Sequence, residues 1–274
     1  MLVTGASRGI GRAIATRFAA EGAAVVVSAS RLGAHGELEG TLEDTVAAIT
    51  AAGGRAAAVA CDLLDRDARA ALVTRASEPF GPIDVLVNNA AMASFKALPS
   101  GVTTRTRDAL YDLNVNVPVE LLQQALPGMR ERGGGWCLNI SSRSAQQAEP
   151  PYPDERNSAL VIGAYGATKA ALNRYTEALA HELAPDNIFV NALAPTAIVY
   201  TTMLDSFGDI MARRPDMVEP AEMMAEAALE LCTGRHVGRV VYSRDILHAT
   251  ARPLRSLDGT RVIGDAFTLA RELA

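Results

Sequence analysis

Tyr165 and Lys169 stand four apart in a stretch, 163–184, whose pattern predicts a helix, so their Cβ atoms fall about 5–6 Å apart on one helix face. A free phenol titrates near ~10, too high for easy proton exchange at neutral pH, and a neighbouring ammonium lowers that value by favouring the phenolate. The pair could therefore move a proton, although Tyr-x-x-x-Lys also arises between surface neighbours. Composition sharpens the case. The chain uses arginine nearly everywhere and keeps only two lysines, Lys96 and Lys169. A compact ammonium that can point at a phenol and a ribose hydroxyl is not replaceable by a planar guanidinium.

A second constellation lies at the start of the chain. Thr4-Gly5-Ala6-Ser7-Arg8-Gly9-Ile10-Gly11 follows a short apolar strand and opens a helix. Gly5, Gly9 and Gly11 there allow a tight turn and the close approach of a pyrophosphate, and the helix N-terminus around Ser7, Arg8 and Ile10 offers free N–H groups and partial positive charge. The spacing is Gly-x-x-x-Gly-x-Gly rather than Gly-x-Gly-x-x-Gly, and a plain strand-to-helix turn would look similar. The second strand ends in Val27-Ser28-Ala29-Ser30-Arg31, with no acid to hydrogen-bond a ribose 2′-hydroxyl. Ser30, Arg31 and the nearby Arg8 suit a 2′-phosphate instead. This points to NADP(H) over NAD(H), with a solvated loop charge as the other reading of Arg31.

These residues need elements to hold them. Short apolar runs at Leu2-Val3, 24–27, 57–59, 83–87, 136–140, 188–190 and 237–242 alternate with Ala- and Leu-rich segments of helical period. That alternation builds a parallel sheet with helices on both faces. Ile10, Ile14 and Phe18 mark one helical face, and Leu42, Val46 and Ile49 another, stopped by Gly53-Gly54. Seven strands with crossovers use most of the chain, and no linker or composition break divides it, so one α/β domain over 1–274 is expected. Two irregular stretches break the rhythm. One is 143–160, with Pro150, Pro151 and Pro153; the other is 199–217, with Met203, Phe207 and Met211. Stretches of this length are often lids or binding loops, or else tolerated insertions.

Composition excludes several functions. With 274 residues, 49% hydrophobic and 21% charged, the chain buries a full core without staples. A net charge of −5 argues against nucleic acid. Cys61, Cys137 and Cys232 are odd in number and form no Cys-x-x-Cys pair, and His35, His181, His236 and His248 are scattered, so neither a disulfide framework nor a metal site is expected. No secretory signal and no run of ~18 apolar residues is present, which leaves a cytoplasmic protein away from membranes as the expectation.

Taken together, the glycine turn, Asn88-Asn89-Ala90, Asn114, Ser141-Ser142 and Tyr165-Gly166-Ala167-Thr168-Lys169 resemble the short-chain dehydrogenase/reductase family over residues 1 to about 200. The resemblance implies a Rossmann-type, doubly wound, seven-stranded parallel sheet that carries NAD(P)-dependent oxidation or reduction of alcohols and carbonyls, usually as a homotetramer or dimer. It implies Tyr165 as general acid or base, Lys169 lowering its pKa and holding the nicotinamide ribose, Ser142 hydrogen-bonding the substrate oxygen, and Asn114 ordering a water. It also implies Asp62 and Leu63 at the adenine, Asn89 and Ala90 along the cofactor, and Pro195 and Ile198 at the nicotinamide.

Several positions depart from the family's pattern. Ala91, Ala145 and Thr196 stand where glycines are expected, the stretch from Ser142 to Tyr165 is long enough to bulge over the substrate mouth, and the first strand starts at Met1, so that several residues of a usual N-terminus and a full strand end are expected to be lacking. The substrate is expected to be a small secondary alcohol or ketone. Met92, Phe95, Met203 and Phe207 would line an apolar pocket or serve as loop packing. A non-catalytic NADP(H)-binding regulatory or scaffold protein is the second reading, and it predicts loss of a catalytic residue. An epimerase or dehydratase, the third, would call for a longer C-terminal substrate domain. Helices around 105–130 and 163–184 would form a subunit interface by analogy.

Overall fold

The computed structural model describes residues 1–34, 39–94, 98–146, 162–200 and 213–273. Apolar segments form seven strands: β1 (Leu2–Thr4), β2 (Ala24–Ala29), β3 (Arg55–Ala60), β4 (Val85–Asn88), β5 (Gly135–Ile140), β6 (Ile188–Ala194) and β7 (Val240–Tyr242). They join in one sheet of order β3-β2-β1-β4-β5-β6-β7, every neighbouring pair parallel. This is the expected Rossmann-type winding within a single domain. The chain runs outward from β1 to β3, then returns past β1 to β4. The strand order reverses between β1 and β4, which opens a crevice at their carboxyl ends.

Parallel neighbours require crossovers, and helices supply them. They are α1 (Gly9–Ala20), α2 (Leu42–Ala51), α3 (Arg66–Ala70), α4 (Leu72–Ser77), α5 (Thr104–Tyr111), α6 (Val117–Glu131), α7 (Gly163–Leu183), α8 (Ala221–Thr233) and α9 (Ser243–Ala249). Strand side chains alternate between the sheet faces. Val3, Val25, Val27, Val87, Leu138 and Leu193 meet Ile14 and Phe18 of α1, Leu42 and Ile49 of α2, and Met223 and Met224 of α8. Leu2, Val26, Leu86, Cys137 and Val190 meet Leu72 of α4, Leu121 of α6 and Leu183 of α7 on the other face. Two cores thus clamp a sheet whose central strands are apolar on both sides, as parallel sheets require.

Boundaries differ from the sequence pattern at informative places. β7 begins at Val240 rather than 237, because Gly238 takes a left-handed backbone (φ 64°) and the Asn191 side chain occupies the ladder there. Asn191 Oδ1 accepts the Arg239 N–H at 2.9 Å, and its Nδ2 donates to the His236 carbonyl at 2.8 Å. Between α5 and α6 the 105–130 segment contains a π-helical turn, Asp112–Asn116, a local widening often found at functional sites. Ala91, Ala145 and Thr196 do not adopt the left-handed backbone that would demand glycine.

The C-terminal segment packs on the first core through Ile246, Leu247, Leu254 and Ala266. Arg252 Nε donates to Glu226 Oε2 at 2.8 Å, and Glu226 also pairs with the buried Arg17, tying this segment to α1. His35, Phe95, Lys96, Met203, Phe207 and Met211, and residues 147–160 of the stretch expected at the substrate mouth, lie outside the described residues.

Candidate active site

The crevice between β1 and β4 is built largely from backbone. Gly5 takes φ 64°, and a Cβ there would sit 2.9 Å from both Ala90 Cα and Asn89 Nδ2. A Cβ on Gly11 would come within 2.5 Å of Asn89 Nδ2 and of the Gly5 carbonyl oxygen. Asn89 Nδ2 donates to the carbonyls of Thr4 (2.8 Å) and Gly5 (3.1 Å), while Thr4 Oγ1 accepts the N–H groups of Asn89 and Ala90, each at 3.1 Å. The two loops are therefore stitched together with no space for side chains at the glycines.

Arg8 is the N-cap of α1, and no side chain caps that helix. Its first N–H groups are left for an outside acceptor, the setting in which helix N-termini take phosphates. Arg8 Nη1 is buried without a hydrogen-bond partner among the described residues. A cradle closed to Cβ atoms, an uncapped helix start and an orphaned guanidinium nitrogen fit a dinucleotide. Ser7 is buried, and its carbonyl is closely approached by Gly40, where a Cβ would lie 2.7 Å away. Ser30 and Arg31 are exposed past the end of β2, Asp62 is exposed past β3, and Leu63 beside it is buried. Asp62 Oδ1 accepts the Leu64 N–H at 3.1 Å, which fixes that turn.

The other end of the crevice is built from side chains. Ser142 follows β5, and Tyr165 and Lys169 lie in the first turns of α7. Gly166 lets α7 approach closely, since a Cβ there would strike the Ser144 carbonyl. Lys169 is 2% exposed; its Nζ donates to the Ile140 carbonyl at 2.7 Å and lies 5.6 Å from the centroid of the Tyr165 ring. Burial brings its ammonium down to about 8. Burial also pushes the Tyr165 phenol above its ordinary value, and its hydrogen bond with Ser142 works the other way. The expectation of a phenol lowered by Lys169 is thus corrected. Desolvation dominates, and the Lys169 ammonium gives its short hydrogen bond to the Ile140 carbonyl.

Asn114 sits in the π-helical turn with no exposure. Its Oδ1 accepts the Met92 N–H at 2.9 Å, and its Nδ2 donates to the Met92 carbonyl (2.8 Å) and to Thr168 Oγ1 (3.0 Å). Thr168 Oγ1 in turn donates to the Tyr165 carbonyl at 2.7 Å. The Asn114 side chain is therefore engaged in binding the 92 loop to α7.

Several participants had no role assigned to them from the sequence. Ser144 donates from Oγ to Ser142 Oγ at 2.9 Å. Asn88 Nδ2 donates to Asn139 Oδ1 and Asn139 Nδ2 to Thr176 Oγ1, each at 2.9 Å, a buried polar line from β4 through β5 to α7. Thr196, beside the expected nicotinamide neighbours Pro195 and Ile198, is held by Glu219 and Ser243. The polar line had one sequence signal, Asn88 and Asn139 inside otherwise apolar strands. Glu219 had none, because an acid before proline reads as a solvated turn.

A family profile described as short chain dehydrogenase matches residues 1–210. The short-chain reductase protein NovJ of Streptomyces niveus is 36% identical over 237 residues, covering 85% of this chain and 80% of that protein. Among solved structures, a short-chain dehydrogenase from Mycobacterium thermoresistibile superposes with a TM-score of 0.80 at 28% identity, covering 97% of this chain and 93% of its own. A metagenomic short-chain oxidoreductase in complex with NADP gives 0.70 at 29% identity, covering 88% and 95%. The chain belongs to the short-chain dehydrogenase family. Within that family it is an NAD(P)-dependent oxidoreductase acting on small molecules. Among the described residues, no helix is long and apolar enough to cross a membrane.

Proposed function

We propose that this oxidoreductase prefers NADP(H) to NAD(H) and interconverts a secondary alcohol and its ketone, with Tyr165 as general acid or base. The observation that carries the reading is the buried Lys169 ammonium 5.6 Å from the Tyr165 ring, whose phenol is hydrogen-bonded to Ser142. When bound, the nicotinamide supplies or accepts the hydride. In the reducing direction negative charge grows on the substrate oxygen, so a positioned hydroxyl and a ready proton are required there. Ser144 donates into Ser142 Oγ, which holds that hydroxyl in place beside Tyr165. The raised phenol of Tyr165 holds its proton at neutral pH, the form a reductase needs.

Lys169, charged below about 8, compensates the phenolate once the proton has left and offers its ammonium to the ribose. The Asn114 carbonyl orders water behind it. Gly5, Ser7, Gly9, Ile10 and Gly11 cradle the pyrophosphate, Asn89 and Ala90 line the cofactor, Asp62 and Leu63 meet adenine, and Pro195 and Ile198 border the nicotinamide. Arg8, Ser30 and Arg31 take the 2′-phosphate. The NADP complex of a relative 29% identical supports nicotinamide use. The reading extends to a cytoplasmic homo-oligomer, tetramer or dimer, with α5 to α7 at the subunit contact, where Tyr111 and Tyr175 are exposed.

The test is a paired titration of the purified protein with NADPH and NADH. NADPH should bind more tightly, and Arg8→Ala or Arg31→Ala should narrow the gap by weakening NADPH alone. Equal affinities would remove the phosphate assignment, and binding of neither would remove the function. In a carbonyl screen, Tyr165→Phe should bind NADPH normally and lose roughly 10²–10⁴-fold in turnover.

A further inference from the structure

The backbone leaving β6 passes through Pro195, Thr196, Ala197 and Ile198, and its path is held by a carboxylate from a distant part of the chain. Glu219 lies on a two-residue strand, Val218–Glu219, paired in parallel with Ile198–Val199. It has no solvent exposure. Its Oε2 accepts the Thr196 N–H at 3.1 Å and the Ala197 N–H at 3.3 Å, and its main-chain carbonyl accepts the Tyr200 N–H at 2.8 Å. Ser243, also fully buried at the start of α9, lies with Oγ 2.8 and 2.9 Å from the two carboxylate oxygens and shares its one hydrogen with the carboxylate. Thr196 Oγ1 closes the cluster by accepting the Arg244 N–H at 3.2 Å.

Burying a carboxylate is unfavourable unless hydrogen bonds replace its water. Burial has pushed Glu219 up to about 7, against the pull of Ser243, of the two N–H groups and of Arg244. An apolar side chain would fill this space without that penalty, but it could not hold two consecutive N–H groups pointing inward. Those N–H groups belong to the stretch between Pro195 and Ile198. The sequence pattern asked for a glycine at 196, yet the threonine is accommodated because its N–H and its Oγ1 are both used by this cluster.

We propose that Glu219 is a positioning residue for hydride transfer: by accepting the Thr196 and Ala197 N–H groups, it holds Pro195 and Ile198 against the nicotinamide half of the cofactor without touching cofactor or substrate. The inference rests on the nicotinamide-side reading of Pro195 and Ile198. It separates the two halves of the cofactor, because among the described residues the hydrogen bonds of Glu219 go to Thr196, Ala197, Tyr200 and Ser243 and none to the β1–α1 turn.

The experiment compares NADPH with adenosine 2′,5′-bisphosphate, which carries only the adenine end, on wild-type protein, Glu219→Ala, Glu219→Gln and Ser243→Ala. Glu219→Ala should weaken NADPH by roughly tenfold or more, the scale of lost hydrogen bonds to a charged group, and leave the bisphosphate unchanged. Glu219→Gln keeps an acceptor oxygen and should recover part of the loss; Ser243→Ala should shift NADPH in the same direction by less. Where the alanine variant does not fold, the glutamine and Ser243 variants decide. Equal losses for both ligands, or no loss for NADPH, overturn the proposal. If wild-type protein binds neither ligand, the functional reading itself falls and takes this inference with it; if wild type binds both and the variants match it, only the inference falls.

Discussion

The two ends of the crevice are made by opposite means. At the β1–α1 end, the structure excludes side chains: Gly5 and Gly11 leave no space for a Cβ, and Thr4 and Asn89 hold backbone to backbone. At the α7 end, it buries polar side chains and satisfies them: Lys169, Asn114, Thr168, Asn139 and Thr176 are each at most 2% exposed. The first end should be sensitive to added atoms, the second to removed ones. Phosphates are recognised by N–H groups common to every residue, whereas proton transfer needs particular functional groups held away from water.

The strongest test of that contrast is Lys169→Met. Turnover should fall roughly 10²–10⁴-fold, while stability at pH 7 should hold or rise, because the penalty of the buried ammonium is removed. Lys169 titrates near 8 in the folded chain against an ordinary 10.5. Between those values the unfolded chain holds the proton and the folded chain does not, so stability from this group rises with pH across that window, and the full penalty of the buried charge applies below it. The methionine variant should lose this rise in a pH series of thermal melts. A large drop in melting temperature at pH 7 would mean that the lysine is structural.

Gly11→Ala probes the other end. Its methyl group would fall 2.5 Å from Asn89 Nδ2 and the Gly5 carbonyl, so NADPH affinity should drop by at least about tenfold and stability by about 1–3 kcal/mol. Unchanged binding by fluorescence titration would show that the cradle is not where the pyrophosphate sits. The smallest effect is expected for Asn139→Ala, which removes the link between Asn88 and Thr176. Denaturant unfolding should show a loss of about 2 kcal/mol, with cofactor affinity near wild type. A loss of affinity as large as that of Gly11→Ala would erase the distinction between the two ends.

How much of this was legible in the sequence follows the range of the interactions. The β/α alternation, the glycine turn and the Tyr165–Lys169 pair are local, and each is found where the pattern put it. The π-helical turn at 112–116 was not legible, because one widened turn leaves the Ala- and Leu-rich pattern nearly unchanged, yet it seats Asn114 against Met92 and Thr168. The start of β7 was misjudged for a related reason, since Asn191, a residue of β6, supplies the hydrogen bonds that a strand would have made.

The amino-acid sequence by itself determined the winding of the sheet, the glycine turn after β1 and the pairing of Tyr165 with Lys169, since strand alternation, glycine conformation and i,i+4 spacing act over a few residues. Only the tertiary structure decided the electrostatic state of that pair and the anchoring of the 195–198 loop. Whether Tyr165 is raised or lowered depends on how much water the sheet and α7 exclude, and whether Glu219 is a surface acid or a buried clamp depends on strand partners 20 or so residues away. Desolvation belongs to the assembled fold, and no short window of residues contains it.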